Sequence, residues 1–238
     1  MKILGIETSG EVAGVALISD GEIVDERTFT ARMTLNQRLA PEIAELLHVP
    51  AADAGLQAIA AGIGPGSFTG VRMGVAVAKA LAHGLGLPLA GISAPEAIVA
   101  SLGAAPGAGV CVLQKARSDE VYATTLVIED DGIGRELSAT RVLTLPRALR
   151  NAEELLERPP DLFAGDAVPE LAERIMAAFP DARFADENRS WPTAAWSGLV
   201  AAAQPDRLQI EVAFSLTPRY ARASQAERQF GVDLGLRG

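Results

Sequence analysis

Apolar and polar positions alternate through the first thirty residues, the period of half-buried strands. Asp20-Gly21 falls between Val15-Ala16-Leu17-Ile18 and Ile23-Val24 as a two-residue hairpin turn. Three consecutive strands are predicted, near 2–7, 12–19 and 22–30. From Leu35 the period lengthens: Leu35, Leu39, Ile43 and Leu46 share one helical stripe, and Ala40, Ala44 and Leu47 form a second beside it. Gln57 to Ile63 reads as a short apolar strand and Gly64 to Phe68 as a glycine-rich turn. Thr69 to Gly84 reads as a helix whose few polar residues include Arg72, Lys79 and His83. A helix apolar nearly all round must be covered on most sides. Pro88 to Ile92 gives another strand, and Ser93 with Glu96 forms a capping box opening a helix through Leu102.

The Ala-, Gly- and Pro-rich stretch Gly103 to Gly109 reads as a domain boundary. Beyond it the order of elements recurs: strands near 110–115, 120–128 and 133–142, a helix near 145–157, a strand at 161–164 and a helix near 167–179. A poor strand near 182–185 and a helix near 192–203 complete the set. Both halves read βββαβαβα, without residue-level repetition. The expected fold is α/β: two mixed-sheet domains, residues 1–103 and 104–238, with the closing segment crossing back to the first. By analogy this is the duplicated, two-lobed arrangement of actin, sugar kinases and Hsp70 (ASKHA, ribonuclease H-like), a group that binds nucleotide between its halves.

Composition narrows the function classes. The 238 residues are 49% apolar and 21% charged, and no apolar run approaches the roughly 20 residues of a membrane span. The net charge of −9 divides as −4 over residues 1–103 and −5 over 104–238, so neither half offers the basic surface that grips a polyanion. The start runs from Met1 straight into a strand-like segment, and a cytoplasmic compartment is expected. Cys111, the only cysteine, sits in an apolar run as a core thiol. His48 and His83 are the only histidines and form no metal-ligand motif, which removes metallopeptidase and cysteine-peptidase chemistry.

Three segments have chemical potential. Glu7-Thr8-Ser9-Gly10 can face a phosphate and a magnesium-bound water, or can be an ordinary turn; Lys115 to Asp119 is its counterpart in the second half and reads equally as a salt-bridged turn. In Gly64-Pro65-Gly66-Ser67-Phe68-Thr69-Gly70, Ser67 or Thr69 can cap the next helix, whose free N–H groups suit an anion; a structural turn is the competing reading. Gly70, Gly74 and Ala78 form a small-residue track open to close helix approach. With Val71, Val75 and Ala82, and with Leu35, Leu39, Ala40, Ile43, Ala44 and Leu47 of the preceding helix, it makes a candidate partner surface unless other helices of the chain cover it.

Ile3-Leu4-Gly5-Ile6-Glu7-Thr8-Ser9, the run from Gly64 to Gly74, Glu120-Val121-Tyr122 and Pro218-Arg219-Tyr220-Ala221-Arg222 together resemble the TsaB family, also called YeaZ. The resemblance is close over the first hundred residues and looser beyond. It implies a two-lobed actin-like fold and a part in forming N6-threonylcarbamoyladenosine at adenosine 37 of tRNA. The implied role is that of a non-catalytic scaffold binding the paralogue TsaD, the transferase, together with the ATPase TsaE. Implied too are a homodimer when alone, contact with tRNA only through the complex, and the first two helices as the shared dimer surface. The alternative is an ATP-dependent actin-like enzyme, a kinase or carbamoyl-type transferase.

Many relatives carry Asp at the position of Glu7, His at that of Leu35 and Asp at that of Lys115. A longer acid and a misplaced cation disturb magnesium–nucleotide geometry at Glu7, Thr8 and Ser9. No tightly held cofactor is therefore expected, with ATP or ADP and magnesium entering only at the complex.

Overall fold

The computed structural model describes residues 1–31 and 34–221. They form two compact units, Met1–Ser101 with Trp191–Pro218, and a second that begins at Leu102, runs to Ser190 and takes up the chain again at Arg219. Arg222 of the closing motif lies outside the described residues. The boundary falls two residues before the expected one, and the return to the first unit begins earlier than a closing segment, taking in the helix expected near 192–203.

In the first unit β1 (Lys2–Glu7), β2 (Val12–Ser19) and β3 (Glu22–Thr30) form an antiparallel meander. Asp20 and Gly21 both take positive φ, 51° and 83°, as the two central residues of such a hairpin require. Next come α1 (Leu35–Leu47), β4 (Ala58–Gly62), α2 (Phe68–Leu85), β5 (Leu89–Ile92) and α3 (Ala94–Leu102). The sheet order is β3-β2-β1-β4-β5, with β1, β4 and β5 parallel, a mixed sheet as the sequence predicts.

Strand alternation divides this sheet into two apolar faces. Leu4, Ile6, Val15 and Ile59 join Leu39 and Ile43 of α1 and Ala78 and Ala82 of α2 in one core. Gly5 and Ile18 point the other way, toward α6 (Ala194–Ala203). Small residues let α6 lie almost on the strands: a Cβ at Gly5 would come within 2.2 Å of the Ala194 carbonyl oxygen, and one at Gly198 within 2.3 Å of Ile18 Cδ1. The first lobe is therefore unfinished without residues distant in the chain.

The second unit holds β6 (Gly109–Lys115), β7 (Glu120–Ile128), β8 (Gly134–Glu136), β9 (Arg141–Thr144), α4 (Leu145–Leu156), β10 (Leu162–Ala164) and α5 (Val168–Ala178). The single third strand expected at 133–142 is two short ones, paired with opposite ends of β7. The strand expected at 182–185 is one parallel bridge, Phe163 to Phe184. Cys111 lies in the core with Leu113, Leu149, Phe163 and Ile175; burial pushes its thiol up to about 12, where it is unreactive. Among the described residues no helix is long and apolar enough to cross a membrane.

Candidate functional site

The end of β1 is the point on which the first unit closes. Successive side chains leave a strand on opposite faces, so Glu7 turns toward α6 and Thr8 toward α2. Thr8 Oγ1 donates to the Gly70 carbonyl at 2.8 Å, and the Ser67 N–H donates to the Ser9 carbonyl at 2.7 Å. Glycines make this seam possible. A Cβ at Gly70 would stand 2.2 Å from the Thr8 carbonyl oxygen, one at Gly74 2.1 Å from Thr8 Oγ1, and one at Gly66 2.2 Å from the Ser9 carbonyl oxygen. Ser67 is the N-cap, its Oγ accepting from the Gly70 N–H at 3.2 Å, while Thr69 sits exposed in the first turn. The predicted capping box is present as well, joining Ser93 and Glu96 in both directions.

Glu7, Thr8 and Ser9, the residues assigned to a cofactor, are all buried within this unit. The Glu7 carboxylate accepts from the Ser9 N–H at 2.7 Å, and Ser197 Oγ of α6 donates to its other oxygen at 3.5 Å. Gly62 of β4 makes room for it: a Cβ there would fall 2.1 Å from Glu7 Oε2. Burial raises the Glu7 pKa above its usual range, against the opposing pull of its hydrogen bonds. Among the described residues no atom lies in hydrogen-bonding geometry with the buried Ser9 Oγ. The segment thus binds the unit's own strands and helices together. Its counterpart in the second unit is a salt-bridged turn: Lys115 Nζ pairs with Glu170 at 2.6 Å, and the Lys115 N–H donates to Asp166.

The proposed partner surface needs correction. Leu35, Leu39, Ile43 and Leu47 of α1, and Gly70, Val71, Gly74, Val75, Ala78 and Ala82 of α2, are buried, and Leu35, Leu39, Ile43, Leu47, Ala78 and Ala82 belong to the first unit's own core. The Gly70-Gly74-Ala78 track carries the approach of α2 to Thr8, so it is not free for a second molecule. Of the residues named, Ala40 and Ala44 are exposed, and α2 presents Ala76, Ala80 and His83 on its own outer face. The sequence reading missed Ala76 and Ala80. A helix this rich in alanine has small residues on both faces, and spacing alone does not say which one turns inward. At the start of α2, Phe68 is 42% exposed, with the Arg72 guanidinium stacked 3.8 Å above its ring centroid.

The returning chain braces α2 and α3. Lys79 Nζ donates to the carbonyls of Phe214 and Leu216, the former in the short helix α7 (Val212–Ser215). Arg207 donates to Glu96 Oε1 and to the Gly91 carbonyl, both at 2.7 Å. Nothing in local sequence signals these contacts, which span more than a hundred residues.

A family model described as TsaD: tRNA N6-adenosine threonylcarbamoyltransferase matches residues 30–230. The chain is 35% identical over 143 residues to the tRNA threonylcarbamoyladenosine biosynthesis protein TsaB of Escherichia coli, covering 58% of this chain and 62% of that one. It is 35% identical over 102 residues to the TsaB of Bacillus subtilis, covering 42% and 44%. The chain thus spans about half the length of these curated relatives. Among solved structures it is similar to YeaZ from Pseudomonas aeruginosa, with a TM-score of 0.69 at 28% identity, covering 92% of this chain and 99% of that one.

Proposed function

This chain belongs to the TsaD tRNA N6-adenosine threonylcarbamoyltransferase family, in its TsaB/YeaZ branch, and we propose that it serves threonylcarbamoyladenosine formation as a non-catalytic scaffold for a TsaD-type transferase. The scaffold binds the transferase and, through that pair, a TsaE-type ATPase and the tRNA. The observation that carries this reading is the outer face of α1 and α2. Ala40 and Ala44 on one helix and Ala76 and Ala80 on the next are exposed, while the inner faces of both helices share one core. Small side chains on two helices held by a common core make a low, rigid surface. Another pair of helices can lie close against it, with Phe68 as an aromatic anchor.

The residues that would serve chemistry in a nucleotide site are committed to structure. Glu7 is turned into the seam with α6, and Lys115 is paired with Glu170. That favours scaffold over kinase or transferase.

The test is threonylcarbamoyl transfer to tRNA by purified TsaD, TsaE and the enzyme that makes threonylcarbamoyl-adenylate. It is run with this chain, without it, and with this chain alone. Transfer that requires the chain but is not performed by it supports the proposal. Transfer by the chain alone, or transfer indifferent to it, overturns the scaffold role.

A further inference from the structure

Within the second unit, α4, α5 and the turns that follow them enclose a groove of about 770 Å³, inside the range of roughly 300–1,000 Å³ usual for small-ligand sites. Its apolar lining includes Phe179 and the exposed Pro146, Pro159 and Pro180, over the buried Leu145 and Leu149, and the Phe179 ring is held against Phe163 at 5.9 Å between centroids. Three arginines line it from separate elements, Arg150 on α4, Arg174 on α5 and Arg183 beyond α5. Arg150 and Arg174 make no hydrogen bond or ion pair among the described residues, whereas Arg158 nearby is committed to Asp161. The carboxylates of Glu153 and Asp181 also line the groove without a partner among the described residues.

This mixture of charges selects a ligand class. A polyanion would gain from the arginines but meet Glu153 and Asp181, and a wholly apolar ligand would cover charges and leave them unpaired. A ligand that combines a phosphate, several hydroxyl or amino donors and a flat apolar ring satisfies every group. The phosphate takes paired N–H donors from a guanidinium, the carboxylates accept from sugar hydroxyls or base N–H groups, and the ring lies on Phe179. We propose that the groove between α4 and α5 is a binding site for a nucleoside mono- or diphosphate, with Arg150 and Arg174 holding the phosphate. It is independent of the scaffold surface on α1 and α2.

The experiment uses the full chain and ADP as the probe, followed by two-dimensional NMR and calorimetry, with adenosine and inorganic pyrophosphate in parallel arms. ADP is expected to saturate the chain, to shift resonances of Leu145, Leu149 and Phe179, and to bind more tightly than either fragment. The double variant Arg150→Gln/Arg174→Gln should weaken ADP by about ten-fold or more, as expected for two charge-assisted contacts, while Arg147→Gln on the same helix leaves it unchanged. Thermal melting checks that the variants fold, and the two single substitutions serve if the double variant melts early. The proposal is overturned by the absence of binding at millimolar ADP, by binding that ignores the arginine substitutions, or by pyrophosphate binding as tightly as ADP.

Discussion

Gly74 of α2 stands so close to Thr8 at the end of β1 that a single added carbon would lie 2.1 Å from the threonine hydroxyl. That hydroxyl is itself anchored, donating to the carbonyl of Gly70 one turn earlier in the same helix. Replacing a helix-interior glycine by alanine ordinarily gains up to about 1 kcal/mol. Here the clash outweighs the gain, and Gly74→Ala should cost roughly 1–3 kcal/mol, the range for overpacking a filled interior. Thr8→Ala alone should cost about 1 kcal/mol for its hydrogen bond. The two should not add: with the hydroxyl gone, Gly74→Ala becomes close to neutral. Urea unfolding of the four proteins measures the cycle, and strict additivity would show that the two residues do not press on each other.

The same geometry separates two substitutions on α2 that a helical wheel treats alike. Gly74→Leu should unfold the first unit before any partner is added, because its side chain points at Thr8. Ala80→Arg, on the outer face, should leave the melting temperature of the isolated chain within about 1 °C, since exposed substitutions away from special contacts usually change stability by under ~0.5 kcal/mol. It should nevertheless abolish co-elution with a TsaD-type partner in size-exclusion chromatography, and Ala40→Arg on α1 should do the same. A partner that still co-elutes with both arginine variants would place the interface elsewhere.

Much of this was legible in the residues. The alternation that predicts β1 to β3, the Asp20-Gly21 hairpin and the Ser93–Glu96 capping box rest on local rules, and the structure holds each as expected. What escaped was the allocation of faces. Ala78 and Ala80 are the same residue type two positions apart, and burial of one and exposure of the other depend on where the sheet lies. The placement of α6 escaped for a related reason. Its sequence shows an apolar helix in need of cover, but only Gly5 and Gly198 meeting across nearly two hundred residues show what covers it. Glu7 reads in sequence as able to face a magnesium-bound water or to sit in an ordinary turn; Gly62, which leaves the space for its carboxylate, and Ser197, which bonds it, come from distant strand and helix.

Glu7 should make stability depend on pH in an unusual direction. Burial raises its folded-state pKa above the ordinary value of 4.5, so the folded protein holds that proton more tightly than the unfolded chain does. Its contribution is fully present below the unfolded pKa and is lost as pH rises through the raised one. Glu7→Gln keeps an oxygen for the Ser9 N–H and removes the titration. The variant should therefore melt higher than the parent at pH 7 to 8, with the difference shrinking toward pH 4. Melting curves across that range decide it, and a variant that is less stable at pH 8 than the parent would mean that the carboxylate charge is well compensated in place.

Arg207 ties the returning chain to the first unit through two acceptors at once, Glu96 Oε1 and the Gly91 carbonyl, each at 2.7 Å. Glu96 has a second duty, accepting from the Ser93 N–H at the start of α3, and its side chain is only 15% exposed. Arg207→Ala would leave that carboxylate short of a cation in a sheltered site and release the chain between α6 and α7. The expected loss is about 1–3 kcal/mol, the cost of stripping a charged group of its partner. Arg207→Lys should recover less than half of it, because a single ammonium does not offer the fork that spans both acceptors. Hydrogen exchange locates the effect: amides of α6 should exchange faster in Arg207→Ala while those of α4 in the second unit are unchanged. Equal acceleration in both units would show a global loss of stability rather than a loosened strap, and an unchanged urea midpoint would show that the strap holds without this residue.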